Sequence, residues 1–278
     1  MNYYRILTIQ DISCVGQCSL TVALPILSAL GIETCILPTA ILSTHTAGFK
    51  GFTCLDFTEE IKKIISHWKK EKIYFNAFYT GYLLNKNQIN VIKDILINYN
   101  DKIPLKIIDP VMGDNGSLYP GFDMEFVKDM RTLCFTADII IPNLTEACLL
   151  TDYEYKQTYN EEYILKLIKK LKEFNSKIII LTGISYTEDT TGVVVMEDNE
   201  TKYYKHRLIP KCYHGTGDVY SSLFVGAYLT GLKAYEAASA AADFVVECID
   251  FTSKDPSHWY GIKFEPLLIN FITKLKSK

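Results

Sequence analysis

The sequence predicts an α/β protein with a mostly parallel central sheet covered by helices on both faces. Short β-rich segments alternate with amphipathic helical segments along most of the 278 residues, and this alternation is typical of a parallel sheet. Several β-rich segments are apolar at consecutive positions, as in residues 177–181 (KIIIL), which indicates strands with neither face in water. No repeat, linker or change of composition interrupts the chain, so we expect one domain over residues 1–278.

Six segments have the composition of strands, and a seventh region has that of a hairpin. The six strand segments are residues 4–9, 34–38, 73–78, 105–108, 139–141 and 178–182. In the hairpin region, residues 192–196 and 203–207 flank the polar turn 197–200 (EDNE). The hairpin is expected to add an antiparallel edge to the sheet.

Two segments between the strands carry apolar residues at i, i+3, i+4 and i+7, the spacing of one helix face. They are Ile61, Ile64, Ile65 and Trp68 in the first, and Ile164, Leu167, Ile168 and Leu171 in the second. Thr58 is the expected N-cap of the first helix. Residues 219–229 predict another helix directly after a glycine-rich loop.

Residues 12–32 carry no charge over 21 positions, which is long enough to cross a bilayer. Pro25 lies in the middle of this run, and several serine, threonine and glutamine residues interrupt it. These interruptions favour a buried helix of a soluble protein over a membrane span. We therefore expect a cytoplasmic protein that does not interact with a membrane.

Charge and cysteine content exclude two further classes of function. Lys and Arg number 29 against 32 Asp and Glu, for a net charge of −3, so the excess positive charge of a nucleic-acid-binding protein is missing. The eight cysteines form no CxxC pair and have no paired histidines, which argues against a zinc site. A chain of this length needs no disulfides to fold, so we predict free thiols in a reducing compartment.

The strongest candidate for chemistry is residues 214–218 (HGTGD), directly before a predicted helix. Gly215 and Gly217 allow a bulky anion to approach the backbone closely, and the helix N-terminus directs N–H groups at it. Asp218 could accept a proton from an alcohol, although the helix dipole is expected to lower its pKa. A tight turn with a capping aspartate is the alternative interpretation.

Two other loops place acidic residues just after apolar strands. Asp109 and Asp114 could hold Mg²⁺, which prefers oxygen ligands; alternatively both are ordinary turn residues. Asn143 and Glu146 could reach a hydrated metal from a helix N-terminus. Their spacing equally fits a capping box with Asn143 as the N-cap.

Residues 43–48 and 80–82 supply a candidate pocket for a small molecule. The first loop offers hydroxyl groups and the imidazole of His45, and the second offers the aromatic face of Tyr82. The alternatives are a structural histidine whose hydrogen bonds are satisfied within the protein, and a tyrosine of the core.

Taken in chain order, these segments resemble the pyridoxal kinase family of the ribokinase-like superfamily. The matching segments are Ile9-Gln10, 43–46 (STHT), 80–82 (TGY), 109–114 (DPVMGD), Pro142-Asn143, Glu146 and 215–218 (GTGD). The resemblance covers residues 4–260, and DPVMG is its most specific part. The form seen here, including residues 258–261 (HWYG), is most similar to bacterial pyridoxal/pyridoxamine kinases.

The resemblance implies a ribokinase-like three-layer α-β-α sandwich that transfers the γ-phosphoryl group of ATP to the 5′-hydroxyl of pyridoxal, pyridoxamine or pyridoxine. It implies Asp218 as the base, with the amides of Gly215, Thr216 and Gly217 as an anion hole. Asp109 and Glu146 would arrange Mg²⁺, and the ATP contacts would be Asp109, Asp114, Asn143, Glu146 and Thr182. Thr46 and Tyr82 would hold the pyridine ring, and a loop including Tyr119 would cover the site. The family also suggests a homodimer and a candidate site for a monovalent cation.

The chain departs from the family pattern at Asp11, where many members have serine. Asp11 could still accept hydrogen bonds from the phenol or nitrogen of the ring, with Ser13 as a substitute. A branch that also accepts hydroxymethylpyrimidine has cysteine where this chain has Asp218. A hydroxymethylpyrimidine kinase and a catalytically silent vitamer-binding protein are the alternative functions.

Overall fold

The computed structural model describes residues 3–99 and 104–276 of the chain. Within these residues, nine strands form one sheet in the order β11-β10-β9-β8-β5-β4-β1-β2-β3, and β6 and β7 form a separate hairpin. The run from β9 to β2 is parallel, whereas β10, β11 and β3 are antiparallel to their neighbours. The strands are β1 Arg5–Ser13, β2 Glu33–Leu42, β3 Cys54–Asp56, β4 Ala77–Thr80, β5 Leu105–Ile108, β6 Gly113–Asp114, β7 Ser117–Leu118, β8 Ile139–Ile140, β9 Ile178–Thr182, β10 Thr190–Glu197 and β11 Glu200–Arg207.

Helices cover both faces of the sheet. One hydrophobic core lies between the sheet and α2–α6, and the other lies between the sheet and α1, α7, α8 and α9. The predicted three-layer α-β-α sandwich is therefore confirmed. The helices are α1 Leu20–Ala29, α2 Thr58–Lys70, α3 Lys86–Asn98, α4 Met124–Cys134, α5 Leu144–Thr151, α6 Glu161–Leu171, α7 Thr216–Leu229, α8 Ala234–Thr252 and α9 Glu265–Lys276.

Strand β9 shows why consecutive apolar residues indicated a strand buried on both faces. Ile178 and Ile180 belong to the core beneath α1, α7 and α8, whereas Ile179 and Leu181 belong to the opposite core. Successive side chains of a strand point to opposite faces, so each core receives every second residue. All four side chains are at most 3% exposed.

Several element boundaries differ from the sequence-based expectation: β4 was predicted at residues 73–78 and spans Ala77–Thr80, and β2 was predicted at 34–38 and spans Glu33–Leu42. Strand β1 continues to Ser13, with a register shift between Gln10 and Ile12, so Asp11 lies within a strand and not in a loop. The uncharged run 12–32 is consequently not one helix, and only its second half forms α1. The last residues of β1 are polar and face the site. A search for alternating apolar residues therefore did not detect them as part of the strand.

The predicted N-cap of α2 was wrong by one position. Thr58 is the first helical residue, and Phe57 occupies the N-cap position without a capping side chain. Asp56 takes that role, because its Oδ1 accepts hydrogen bonds from Thr58 N (2.8 Å) and Thr58 Oγ1 (2.5 Å). The last residue of β3 therefore stabilises the start of α2.

The strand at each edge of the sheet is antiparallel to its neighbour. The predicted hairpin is confirmed as β10 and β11, joined through Asp198 and Asn199 at φ 51° and 67°. β11 exposes Lys202, Lys205 and Arg207 along its length. At the opposite edge, β3 has only three residues, and the sequence analysis did not predict it.

All eight cysteines are free thiols, as predicted. Among residues 3–99 and 104–276, no helix combines the length and the apolar character that a membrane span requires.

Candidate active site

The predicted site residues converge where the parallel strands reach their carboxyl ends. Asp11 is near the end of β1, and Asp109 directly follows β5 with its N–H donating to Thr80 O at the end of β4 (3.1 Å). Asn143 and Thr182 lie side by side after β8 and at the end of β9. Parallel strands carry ligand sites at this edge.

The N-terminus of α7 presents backbone N–H groups to open space. Gly215, its N-cap, has φ 78°, and a Cβ there would lie 2.0 Å from Gln17 O, so only glycine fits. A Cβ at Gly217 would meet nothing within 4 Å. No side chain caps the helix, which leaves the first N–H groups available to an anion. The role of the amides of Gly215, Thr216 and Gly217 as an anion hole stays a prediction.

Asp218 is a half-buried carboxylate in the first turn of α7. Burial raises its pKa to about 7, a hydrogen bond from the Ser19 N–H opposes that rise, and the negative charge of Asp11 adds to it. The expectation that the helix dipole would lower this pKa was wrong, because the cost of desolvating the carboxylate is larger. A carboxylate with a pKa near neutrality is suited to accept a proton.

Asp109 and Glu146 form a pair of buried acids, 7% and 3% exposed. Burial raises the pKa of Asp109 to about 8; the Ser221 hydroxyl opposes this rise by donating to Asp109 Oδ2 (2.7 Å), and Asp218 adds to it. Burial and the neighbouring Asp109 also raise the pKa of Glu146. Two neighbouring acids in a poorly solvated position favour a ligand that brings positive charge.

The donor set at these acids fits a divalent cation that keeps part of its water shell. Asp109 uses Oδ2 for Ser221 and has a second oxygen to offer. Glu146 accepts backbone N–H groups on both oxygens, from Met112 (3.1 Å) and Asn143 (2.9 Å), so it would act through a metal-bound water. Within the described ranges, no group of three or more His, Cys, Asp or Glu side chains could hold a metal alone, and nucleotide phosphates would complete the shell of Mg²⁺.

Asn143 and Glu146 form a capping box, as one interpretation of their spacing predicted. Asn143 Oδ1 accepts from Glu146 N (2.9 Å), and Asn143 Nδ2 donates to Gly113 O (2.8 Å). The side chain of Asn143 is thus held by the protein at the helix N-terminus. Its contact with ATP, and that of half-buried Thr182, stay predictions.

The β6–β7 hairpin contacts the start of α5, because Gly116 N donates to Thr145 Oγ1 (2.9 Å). Asp114 is exposed in this hairpin, and its Oδ1 accepts from Asn115 N (2.8 Å). Tyr119 follows the hairpin, and burial together with Glu146, Asp114, Asp109 and Asp218 raises the pKa of its hydroxyl. The charges of these acids thus act on Tyr119, and its role in covering the site stays a prediction.

The candidate ring pocket lies between β1 and the end of β4. Asp11 is 3% exposed, and Ser13 Oγ donates to its Oδ2 (2.9 Å). Burial and then the negative charge of Asp11 raise the pKa of Tyr82 to about 12. The Tyr82 ring lies 5.6 Å from that of Phe122, and Thr46 is exposed on the loop after β2.

His45 is a structural histidine. Its Nε2 contacts Tyr260 O (2.6 Å), and its Nδ1 accepts from Ala47 N (3.2 Å). The side chain therefore joins residues 43–48 to residues 258–261. Phe49 reinforces this joint, because its ring lies 4.8 Å from that of Trp259.

Ser19 and Ser221 contact the acids but were not predicted as site residues. Ser221 lies three residues after Asp218, so the helical repeat alone places both on one face of α7. Ser19 had no such signal, because its position depends on how the loop between β1 and α1 folds.

Comparison with known proteins shows which family this chain belongs to. The family model for phosphomethylpyrimidine kinase matches residues 23–262, which is most of the chain. The chain belongs to the phosphomethylpyrimidine kinase family. This family and the pyridoxal kinases are part of the ribokinase superfamily, so the chain is a kinase of that superfamily.

Two solved structures of bacterial proteins are similar to this kinase over almost its whole length. A candidate phosphomethylpyrimidine kinase from Bacteroides thetaiotaomicron, crystallised in one form with pyridoxal, is 37% identical, with 97% of this chain and 96% of that chain covered and a TM-score of 0.91. Pyridoxal kinase from Lactobacillus plantarum is 28% identical, covers 99% of both chains and has a TM-score of 0.91. Pyridoxal kinase from Dictyostelium discoideum is 28% identical over 239 residues, 80% of this chain and 77% of that protein.

Proposed function

We propose that this kinase transfers the γ-phosphoryl group of ATP to the 5′-hydroxyl of a vitamin B6 vitamer: pyridoxal, pyridoxamine or pyridoxine. The observation that carries the proposal is the juxtaposition at the start of α7. A carboxylate with a pKa near 7, Asp218, stands beside uncapped N–H groups that face open space at Gly217. This arrangement suits an alcohol acceptor and a migrating phosphoryl group.

In this mechanism Asp218 accepts the proton of the 5′-hydroxyl as its oxygen attacks the γ-phosphorus, and ADP leaves. The amides of Gly215, Thr216 and Gly217 donate to the oxygens of the transferred group, where charge develops. Asp109 and Glu146 would hold Mg²⁺, which would supply positive charge to offset that of the phosphates. Tyr119 and the β6–β7 hairpin limit the access of water, which would otherwise compete with the vitamer.

Recognition of the pyridine ring is assigned to Asp11, Ser13, Thr46 and Tyr82. Tyr82 offers a ring face beside Phe122, and the Asp11 carboxylate can accept a hydrogen bond from the ring. The binding of pyridoxal by the 37% identical Bacteroides protein supports this class of substrate. A homodimer, a monovalent cation site and a cytoplasmic location stay predictions from the family resemblance.

Hydroxymethylpyrimidine is the second candidate acceptor, because the matching family model is that of phosphomethylpyrimidine kinase. Both acceptors present a hydroxymethyl group on a flat nitrogen heterocycle, so the same base and anion hole would serve either. Hydroxymethylpyrimidine kinases characteristically carry a glycine-rich opening before the first helix, and residues 11–16 (DISCVG) of this chain lack it. This difference favours the B6 vitamers.

A side-by-side assay of ATP consumption decides between these functions. The purified kinase is given MgATP with pyridoxal, pyridoxamine, pyridoxine or hydroxymethylpyrimidine, and the phosphorylated products are identified by mass spectrometry. We expect a higher kcat/KM for at least one B6 vitamer than for hydroxymethylpyrimidine. The reverse order would contradict the proposal, and binding of pyridoxal without product would indicate a silent vitamer-binding protein.

Asp218→Asn tests the assigned base. The substitution preserves the size of the side chain but removes its ability to accept the proton, so kcat should fall at least about 100-fold, with ATP binding by calorimetry nearly unchanged. Asp94→Asn is the matched control, because Asp94 is exposed on α3 and its Oδ1 accepts a hydrogen bond from Asn98 Nδ2 (2.7 Å). Equal turnover by Asp218→Asn and the parent enzyme would remove Asp218 as the base.

A further inference from the structure

Ser19 occupies a strained position between two carboxylates of the site. It is 4% exposed and has φ 54° and ψ −125°, a backbone region that side chains other than glycine rarely adopt. It lies at the N-cap of α1 and forms an isolated bridge with Ile12 of β1. Gln17, two residues earlier, also has a positive φ of 22°. A loop with two such residues so close together is held in place by its surroundings.

The hydroxyl of Ser19 does not serve the helix that it begins. Serine is among the preferred N-cap residues because its oxygen can accept an N–H of the first turn, yet α1 has no side-chain cap. The Ser19 hydroxyl instead hydrogen bonds to the Asp11 carboxylate. Its oxygen is therefore turned away from α1 and toward β1.

The backbone of Ser19 reaches the second carboxylate, because its N–H donates to Asp218. The same loop packs against the N-terminus of α7, where Gln17 O leaves no room for a Cβ on Gly215. One residue thus contacts Asp11 through its side chain and Asp218 through its main chain.

We propose that Ser19 is a positioning residue that fixes Asp11 and Asp218 relative to each other, so that a bound acceptor is aligned with the base. The proposal rests on the proposed function, in which Asp11 contacts the ring and Asp218 contacts its hydroxymethyl group. If the two carboxylates are held at a constant separation, a ring bound at Asp11 places its hydroxyl oxygen at Asp218. Loss of the hydroxyl–Asp11 contact would misalign the acceptor while leaving ATP binding intact.

Ser19→Gly separates this role from a merely structural one. Glycine adopts the positive φ without strain, so the melting temperature should stay the same or rise, while the contact with Asp11 is lost. We expect kcat/KM for the vitamer to fall about tenfold, the usual effect of losing one hydrogen bond to a charged group, with the KM for ATP unchanged. Asn175→Gly is the matched control, because Asn175 is exposed at φ 58° and remote from the site in the sheet order; it should keep full activity.

A double-mutant cycle with Asp11→Ala tests whether Ser19 acts through Asp11. In the Asp11→Ala background, Ser19→Gly should cause no further loss of kcat/KM. The same tenfold loss in both backgrounds would overturn the proposal, as would activity of Ser19→Gly within twofold of the parent enzyme. A fall in melting temperature accompanied by a loss of ATP binding would show a structural role and would also overturn it.

A carboxyl ¹³C titration by NMR gives a readout that does not depend on turnover, so it separates this proposal from the proposed function. The Asp11 signal is the one missing from the spectrum of Asp11→Asn. Because the Ser19 hydroxyl favours the charged carboxylate, the pKa of Asp11 should be higher in Ser19→Gly than in the parent enzyme. An unchanged pKa would contradict the contact. The titratable groups that face Asp11 are Cys18, His45, Cys54, Tyr82 and Asp218.

Discussion

At the scale of single residues, the site is defined by acids that form no ion pair among the described residues. Asp11, Asp109, Glu146 and Asp218 come together within the described part of the chain, and none of them takes part in the ion pairs found there. Burying carboxylates without cations costs free energy. Such a cost is expected where a ligand brings the positive charge, as Mg²⁺ with ATP would.

The charge of Asp11 should be visible in the pH dependence of turnover. Asp218 must be ionised to accept a proton, so kcat/KM for the vitamer should rise as the pH increases through about 7, the value to which its pKa is raised. Asp11→Asn removes a negative charge that raises this pKa, so the acidic limb should move to lower pH. The check is a kcat/KM profile from pH 5 to 9 for the parent enzyme, Asp11→Asn and the control Asp94→Asn. If the acidic limb of the kcat/KM profile had the same midpoint pH in Asp11→Asn and in the parent enzyme, Asp11 would not influence the base.

Sequence reasoning located the acids better than it located their partners. Asp109, Glu146 and Asp218 were found because each follows a strand or begins a helix, which is visible in the local pattern. The contacts of Ser19 with Asp11 and Asp218 depend on a loop with unusual φ angles, and no local pattern encodes them. Burial was also hidden, and for this reason the direction of the pKa shift of Asp218 was predicted wrongly.

At the scale of elements, the two glycines before and within α7 have different physical reasons to be there. Gly215 is required by the protein itself, since a Cβ would collide with Gln17 O at φ 78°. A Cβ at Gly217 would meet no protein atom within 4 Å. The requirement for glycine there therefore comes from the ligand that binds in front of it. Alanine at the two positions should therefore have opposite effects on stability.

Gly217→Ala should leave the free energy of unfolding unchanged or increase it by about 0.5–1 kcal/mol, because glycine is a poor helix former. Its turnover should fall, because the added methyl group occupies space meant for the phosphoryl group. Gly215→Ala should lower both stability and turnover. Urea unfolding and steady-state kinetics of both variants give the comparison. If Gly217→Ala kept full turnover, the phosphoryl group would have to bind elsewhere.

Most elements followed from apolar periodicity, and the misplaced end of β1 has a physical cause. β5 and β9 were predicted with their observed bounds, since both contain consecutive isoleucines that are buried on opposite faces of the sheet. β1 was predicted too short, because its last residues, including Asp11 and Ser13, are polar and face the site. An element that ends in functional residues loses the pattern by which it is recognised.

At the scale of the whole molecule, the buried acids link stability to pH. The pKa of Asp109 is near 8 in the folded state, above the value of about 4 in an unfolded chain. The folded state therefore holds a proton that the unfolded state has lost. This contribution to stability is fully present below about pH 4 and is lost as the pH rises toward 8.

Without nucleotide and metal, the melting temperature should therefore fall between pH 5 and pH 8. Asp109→Asn should raise the melting temperature more at pH 8 than at pH 5, because the amide keeps an acceptor for Ser221 without the titrating charge. The same variant should lose turnover. Thermal melts of the parent enzyme, Asp109→Asn and Asp94→Asn at both pH values provide the test. An equal shift at the two pH values would exclude Asp109 as the titrating group.

The three layers were predictable from the sequence because alternation of elements and apolar strands indicate the same architecture. The short strand β3 was not, since its three residues are exposed and are recognised only through their pairing with β2. Pairing between distant segments is a property of the assembled molecule. Patterns in a single sequence do not reveal which distant segments pair.

The two edges of the sheet also restrict how the molecule can meet other chains. Strand addition needs a long, flat and uncharged edge, whereas one edge here is a row of lysine and arginine side chains on β11 and the other is the short β3. Intermolecular extension of the sheet, the first step toward fibrils, is disfavoured at both ends. The molecule can thus accumulate in a crowded solution without its largest element acting as a template for aggregation.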